Sequence, residues 1–166
     1  MHLGDAFSGS FSGVYFTLAT MPIRPLEYEQ VVEALTPILQ NLPGKVVAID
    51  GRDGSGKTTL GRFLAWYFNV SLIETDLFLF DGEGFSYRLE EINHIIGIRL
   101  SKPRPVIVEG VGLLSLLSQL GRSADFLIYA KNQKFSGSEA LSHDLRAYEN
   151  LHQPETVANL VLELVH

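Results

Sequence analysis

The sequence contains no cysteine. That excludes disulfides, thiolate nucleophiles and cysteine-based zinc sites, and it suits a reducing compartment. Basic residues are also scarce and scattered: 13 Lys and Arg stand against 19 Asp and Glu, a formal net charge of -6. A duplex-binding protein needs a clustered positive footprint, so nucleic acid is not an expected partner. No apolar run is long enough to span a bilayer, and no membrane is expected either. The opening MHLGDAFSGSFSGVYFTLAT lacks the basic start and continuous apolar centre of a secretory signal and the arginines of a mitochondrial one, which points to the cytoplasm. A homodimer is left open.

What is present is enough apolar material for one core. The 166 residues are 46% hydrophobic, a length that suits one domain rather than two. Residues 1–24 mix Gly and Ser with Phe7, Phe11, Tyr15 and Phe16 and are set apart as an N-terminal extension of unread role; residues 25–166 form the expected domain. Pro25 stands where a helix can begin, and Val31, Val32, Leu35, Ile38 and Leu39 follow at helical spacing. KVVAID then reads as a buried strand and KTTLGRFLAWYF as a helix. VSLIETD is a second strand, LEEINHIIGIRL a helix, RPVIVEGVGLL a third strand, LLSLLSQL a short helix and ADFLIYA a fourth strand. Residues 131–155 are polar, a loop plus one helix, and ANLVLELV is a last strand. Strands separated by helical stretches imply a mostly parallel α/β sheet covered on both faces. Trp66 and Tyr67 are expected in the core, and His94 as a packed or hydrogen-bonded histidine.

Between the first strand and its helix lies Gly51-Arg52-Asp53-Gly54-Ser55-Gly56-Lys57-Thr58, which matches the G-x-x-x-x-G-K-[ST] phosphate loop in its required strand–loop–helix setting. Glycines let the chain wrap an anion with its amide N–H groups pointing inward, and the helix that follows adds its positive dipole end. Lys57 is suited to the β and γ phosphates and the Thr58 hydroxyl to Mg2+.

The fate of the γ-phosphate depends on carboxylates. Asp76 closes the second predicted strand and Glu109 the third. In an open parallel sheet such strand ends line the ligand crevice, so both acids can face the loop. We assign the metal to Glu109 and, to Asp76, acceptance of the proton from an acceptor hydroxyl. The plainer alternatives are that Asp76 caps a turn and that Glu109 pairs with a lysine.

On the loop from Gly51 to Thr59, on Thr75-Asp76-Leu77-Phe78 and on Val106 to Gly110, the chain resembles the uridine kinase, phosphoribulokinase and bacterial pantothenate kinase group of P-loop small-molecule kinases. The ending ENLHQPETVANLVLEL is weakly similar to that group's closing strand. The resemblance covers about residues 45–166. It implies a three-layer P-loop NTPase fold with a five-stranded sheet of order 2-3-1-4-5, ATP as donor, Mg2+ as cofactor, and a small-molecule hydroxyl acceptor such as a nucleoside, sugar or pantothenate-like compound. The aromatic loop at residues 78–87 would then wall the acceptor pocket. The nucleotide would be held by Gly51, Arg52, Asp53, Gly54, Ser55, Gly56, Lys57, Thr58 and Thr59, the metal by Thr58 and Glu109, and catalysis would fall to Asp76 and Lys57.

Two features depart from that group. Its arginine-bearing lid is replaced by KNQKFSGSEALSHDLRAYENLHQ, in which Lys131, Lys134 and Arg146 are candidates to substitute; Arg146 is taken as the catalytic one. A missing arginine can cost about three powers of ten in rate, so the alternative is a nucleotide-binding protein with weak or no turnover. Asp50 with Asp53 gives IDGRDGSGKTT, which resembles thymidylate kinase-like loops, although those usually lack the VIVEG strand. A GTPase or ATPase switch is disfavoured because the chain has no Asn-Lys-x-Asp guanine motif.

Overall fold

A computed structural model describes residues 25–80, 85–139 and 141–165. The proposed N-terminal extension, and residues 81–84 of the aromatic loop, lie outside the described residues.

The central strands are those with the most continuous apolar runs. β1 (Val46–Asp50) and β3 (Val106–Glu109) are buried along their whole length, which only a strand covered on both faces requires. They pair in parallel from Val46 opposite Val106 to Ile49 opposite Glu109. β2 (Ser71–Glu74) pairs with β3, β4 (Phe126–Asn132) with β1, and β5 (Leu160–Leu164) with β4, all parallel. The resulting order is β2-β3-β1-β4-β5, as the resemblance implies.

Alternation along the strands divides the core in two. Val47, Ile49, Ile107, Ile128 and Leu162 meet α1 (Tyr28–Leu39) and α2 (Lys57–Phe68) through Leu35, Leu60 and Leu64. On the other face Val46, Ala48, Val106 and Val108 meet α3 (Leu89–Ser101) and α4 (Leu113–Gln119) through Ile92, Ile96, Leu113 and Leu117. Each such Leu or Ile contributes roughly 1.5–3 kcal/mol of burial. Beyond β4 the chain forms α5 (Ser142–His152) and a short α6 (Pro154–Val157), two helices where the composition suggests one.

Three expectations need correction. β2 ends at Glu74, and Asp76 lies in a single 3-10 turn, Thr75–Phe78, rather than closing the strand. Trp66 and Tyr67 are exposed, at 76% and 47%: α2 buries Lys57, Leu60, Gly61 and Leu64, and the helical period turns positions 66 and 67 away from that face. His94 is exposed for the same reason, standing between the inward Ile92 and Ile96.

The turn carrying Asp76 is held against the end of β3 by a close approach. Thr75 is fully buried, and a Cβ at Gly110 would collide with its hydroxyl. Gly110→Ala is therefore expected to cost about 1–3 kcal/mol, the usual range for overpacking, measurable as a lower urea midpoint at unchanged slope.

Candidate functional site

β1 delivers the chain to a loop that its local geometry suits to an anion. Gly51 takes φ +147°, and a Cβ there would strike the carbonyl of Ala130 on β4, so the loop leaves the sheet only as glycine. Gly54 and Gly56 also take positive φ, and α2 starts at Lys57 with its free amides turned back toward the loop.

Lys57 is buried, 5% exposed, and its Nζ donates to the carbonyl of Arg52 at 2.8 Å. Burial pulls its pKa below the ordinary lysine value, opposed by the charges of Glu109, Asp76, Asp50 and Asp53. The sequence-predicted acids thus lie within electrostatic range of one ammonium group. Glu109 ends β3 fully buried, and its Oε1 accepts from Thr58 Oγ1 at 3.1 Å. Burial raises its pKa to about 7, against the lowering effects of Lys57 and Thr58. Asp76 is exposed at the edge of this group, a placement open to a ligand.

Arg52 is half-buried and fully engaged in the loop's surroundings. Its Nε and Nη2 donate to the two carboxylate oxygens of Glu149 at 2.7 and 2.6 Å, and Nη1 donates to the carbonyl of Ser136 at 2.9 Å. Tyr129 OH donates to the same Glu149 at 3.1 Å. The loop is gripped from outside as well: Asp53 Oδ2 accepts from the Ser138 amide at 2.8 Å, and Asn132 Nδ2 donates to the carbonyl of Gly54 at 3.1 Å. Phe135 packs against Gly54. Ser55 is buried, and Thr59 is exposed at the first turn of α2. Beside the loop lies a cavity of about 420 Å³ walled by Arg52, Tyr129, Asn132, Phe135 and Pro154, large enough for a nucleoside-sized ligand.

The candidate lid cations are placed differently from one another. Lys131 Nζ pairs with Glu155 at 2.7 Å. Lys134 is exposed, and Arg146 is exposed on α5, outside the lining of this cavity. Sequence reasoning missed Glu149, Tyr148, Asn132 and Phe135, because their partners lie 78 to 98 residues away in the chain; no local spacing signals such contacts.

A divalent cation fits the donor set. Glu109 Oε2 is buried with no hydrogen-bond partner, and it belongs to the carboxylate that already holds the Thr58 hydroxyl. Among the described residues no group of three or more His, Cys, Asp or Glu could hold a metal by itself. One carboxylate and one hydroxyl, completed by phosphate and water, is how Mg2+ is commonly bound.

No protein-family model matches the sequence, and no curated protein matches it significantly. Among solved structures, the chain is similar to a possible uridine kinase from Bacillus stearothermophilus at TM-score 0.59 and 17% identity, over 82% of this chain and 97% of that one. It is also similar to shikimate kinase from Acinetobacter baumannii in complex with shikimate, at TM-score 0.49 and 18% identity over 78% and 87% of the two chains. Shikimate kinase from Aquifex aeolicus follows at TM-score 0.47 and 18% identity, over 71% and 85%. Only the first of these three bears on architecture, and at that identity it shows the fold alone. The chain has the three-layer P-loop fold: five parallel strands in the order 2-3-1-4-5 with helices on both faces. Among the described residues no helix is long and apolar enough to cross a membrane.

The raised pKa of Glu109 has a consequence for stability. An acid whose pKa rises on folding favours the folded state below its unfolded value, 4.5, and that contribution is lost as pH climbs through about 7. Glu109→Gln is expected to flatten the decline in thermal midpoint between pH 5 and pH 8 and to stand roughly 2–4 °C above the unaltered protein at pH 8. Thermal melts across that range measure it.

Proposed function

We propose that this protein is an ATP-dependent phosphotransferase of the uridine kinase-like group, moving the γ-phosphoryl group to a hydroxyl of a small metabolite. The observation that carries the reading is the convergence of Glu109, Thr58 and Asp76 on Lys57 at the mouth of the phosphate loop. Loop amides and Lys57 hold the phosphates, and Ser55 and Thr59 complete the cradle. Thr58 and Glu109 would hold Mg2+, which would supply positive charge against the charge that develops on the phosphates. Asp76 accepts the proton of the acceptor hydroxyl. Arg146 supplies the lid cation. The reading includes a cytoplasmic location.

The acceptor is assigned to a second cavity, of about 190 Å³, between α4 and α5, walled by Phe85, Tyr87, Tyr148 and His152 with the polar groups of Ser115 and Gln119. Among the described residues no Lys or Arg lines it, which favours an uncharged acceptor over an anionic one. Tyr87, one wall of this cavity, stands within electrostatic range of Asp76 and Glu109.

One observation favours a second reading, a nucleotide holder without turnover: Arg52 and Lys131 are tied to glutamates, and Lys134 and Arg146 have no ion-pair partner among the described residues to fix them near the loop. The two are separated by incubating the protein with ATP, Mg2+ and a pooled metabolite extract and searching by mass spectrometry for a species heavier by one phosphoryl group. The kinase reading expects such a product, with Asp76→Asn lowering its rate by about a hundredfold or more while nucleotide affinity holds. Unchanged nucleotide binding with no product from any extract would leave the holder.

A further inference from the structure

Asp50 is an unusual residue to find at the base of a phosphate loop, since it adds negative charge beside the groups meant to receive an anion. It is 1% exposed and fully engaged. Its Oδ1 accepts from the amide of Gly51 at 2.7 Å, and its Oδ2 accepts from the hydroxyl of Tyr148. A buried carboxylate without such donors would be strongly disfavoured. The Tyr148 oxygen in turn accepts from the amide of Leu114 at 3.1 Å, at the start of the helix that follows Glu109-Gly110-Val111-Gly112. One phenolic group on α5 therefore meets two segments at once: the end of β1, which launches the loop carrying Lys57, and the segment that leaves β3 directly after Glu109. The next residue along α5, Glu149, holds Arg52 inside the loop.

Simple packing of α5 does not need this arrangement. A phenylalanine at 148 would fill the same space, and the helix is already anchored by the buried Leu145. What the hydroxyl adds is a fixed relation between the amide cradle with Lys57 and the carboxylate of Glu109, the two halves that must act on one phosphate tail together.

We propose that Tyr148 is a positioning residue for nucleotide binding, its hydroxyl tying the strand end before the phosphate loop to the segment after Glu109. The proposal rests on the nucleotide-binding reading above and extends it to a residue outside the loop motif. Tyr148 touches no phosphate; it acts through Asp50 and Leu114.

The test is calorimetric titration of Mg-ADP into four full-length variants beside the unaltered protein. Tyr148→Phe is expected to weaken binding roughly tenfold, the scale of one hydrogen bond to a charged group. Asp50→Asn is expected to weaken it comparably, and the double variant no more than the worse single, as partners in one interaction behave. Leu145→Ala, which only loosens α5, is expected to lower the thermal midpoint and leave affinity unmoved. Equal Mg-ADP affinity for Tyr148→Phe and the unaltered chain would overturn the proposal, as would losses that simply multiply in the double variant, or a Leu145→Ala loss matching that of Tyr148→Phe. Absence of Mg-ADP binding by the unaltered chain would overturn the nucleotide reading itself, and the proposal with it.

Discussion

A single buried ammonium group sets the terms for everything near the phosphate loop. Lys57 lies inside the protein with its Nζ on a loop carbonyl, and burial lowers its pKa; four carboxylates, Glu109, Asp76, Asp50 and Asp53, act in the opposite direction. Three of those acids are buried or half-buried, each met by a different donor: Thr58 for Glu109, the Gly51 amide and Tyr148 for Asp50, the Ser138 amide for Asp53; Asp76 is exposed. The anion site is thus ringed by carboxylates. A triphosphate tail would meet these carboxylates as well as the loop amides and Lys57, and the unpartnered Glu109 Oε2 is where a compensating cation fits. A divalent ion held there would serve binding as well as chemistry.

That electrostatic knot explains why so much of the chain converges on so few residues. α5 contributes Tyr148 and Glu149 to the base and flank of the loop, the segment after β4 contributes Asn132, Phe135 and Ser138, and β3 contributes Glu109. The loop is therefore a product of the sheet order: β1 sits between β3 and β4, so its carboxyl end is flanked by the ends of both neighbours and by the connections leaving them.

Much of this was legible in sequence where the determinants are local. The continuous apolar runs of VVAID and VIVE announce central strands, the glycine spacing announces the loop, and Glu109 after VIV announces an acid at the crevice. Asp76 is displaced into a 3-10 turn because β2 stops at Glu74, whose carboxylate is bound by Arg62 of α2 at 2.7 Å, and because Thr75 tucks beside Gly110; neither contact has a sequence signature. Trp66, Tyr67 and His94 depart from expectation because their helical phase relative to Leu64, Ile92 and Ile96 turns them outward. Long-range pairs such as Asp50 with Tyr148 cannot be read from spacing at all.

The central claim is that an anion site crowded with carboxylates binds a nucleotide more tightly as its metal complex. The most direct measurement compares ATP affinity by equilibrium titration in millimolar Mg2+ with that in excess chelator. The account predicts tight binding with the metal and a loss of roughly tenfold or more without it, the scale of one lost charge-assisted interaction. Equal affinity in the two solutions would contradict it.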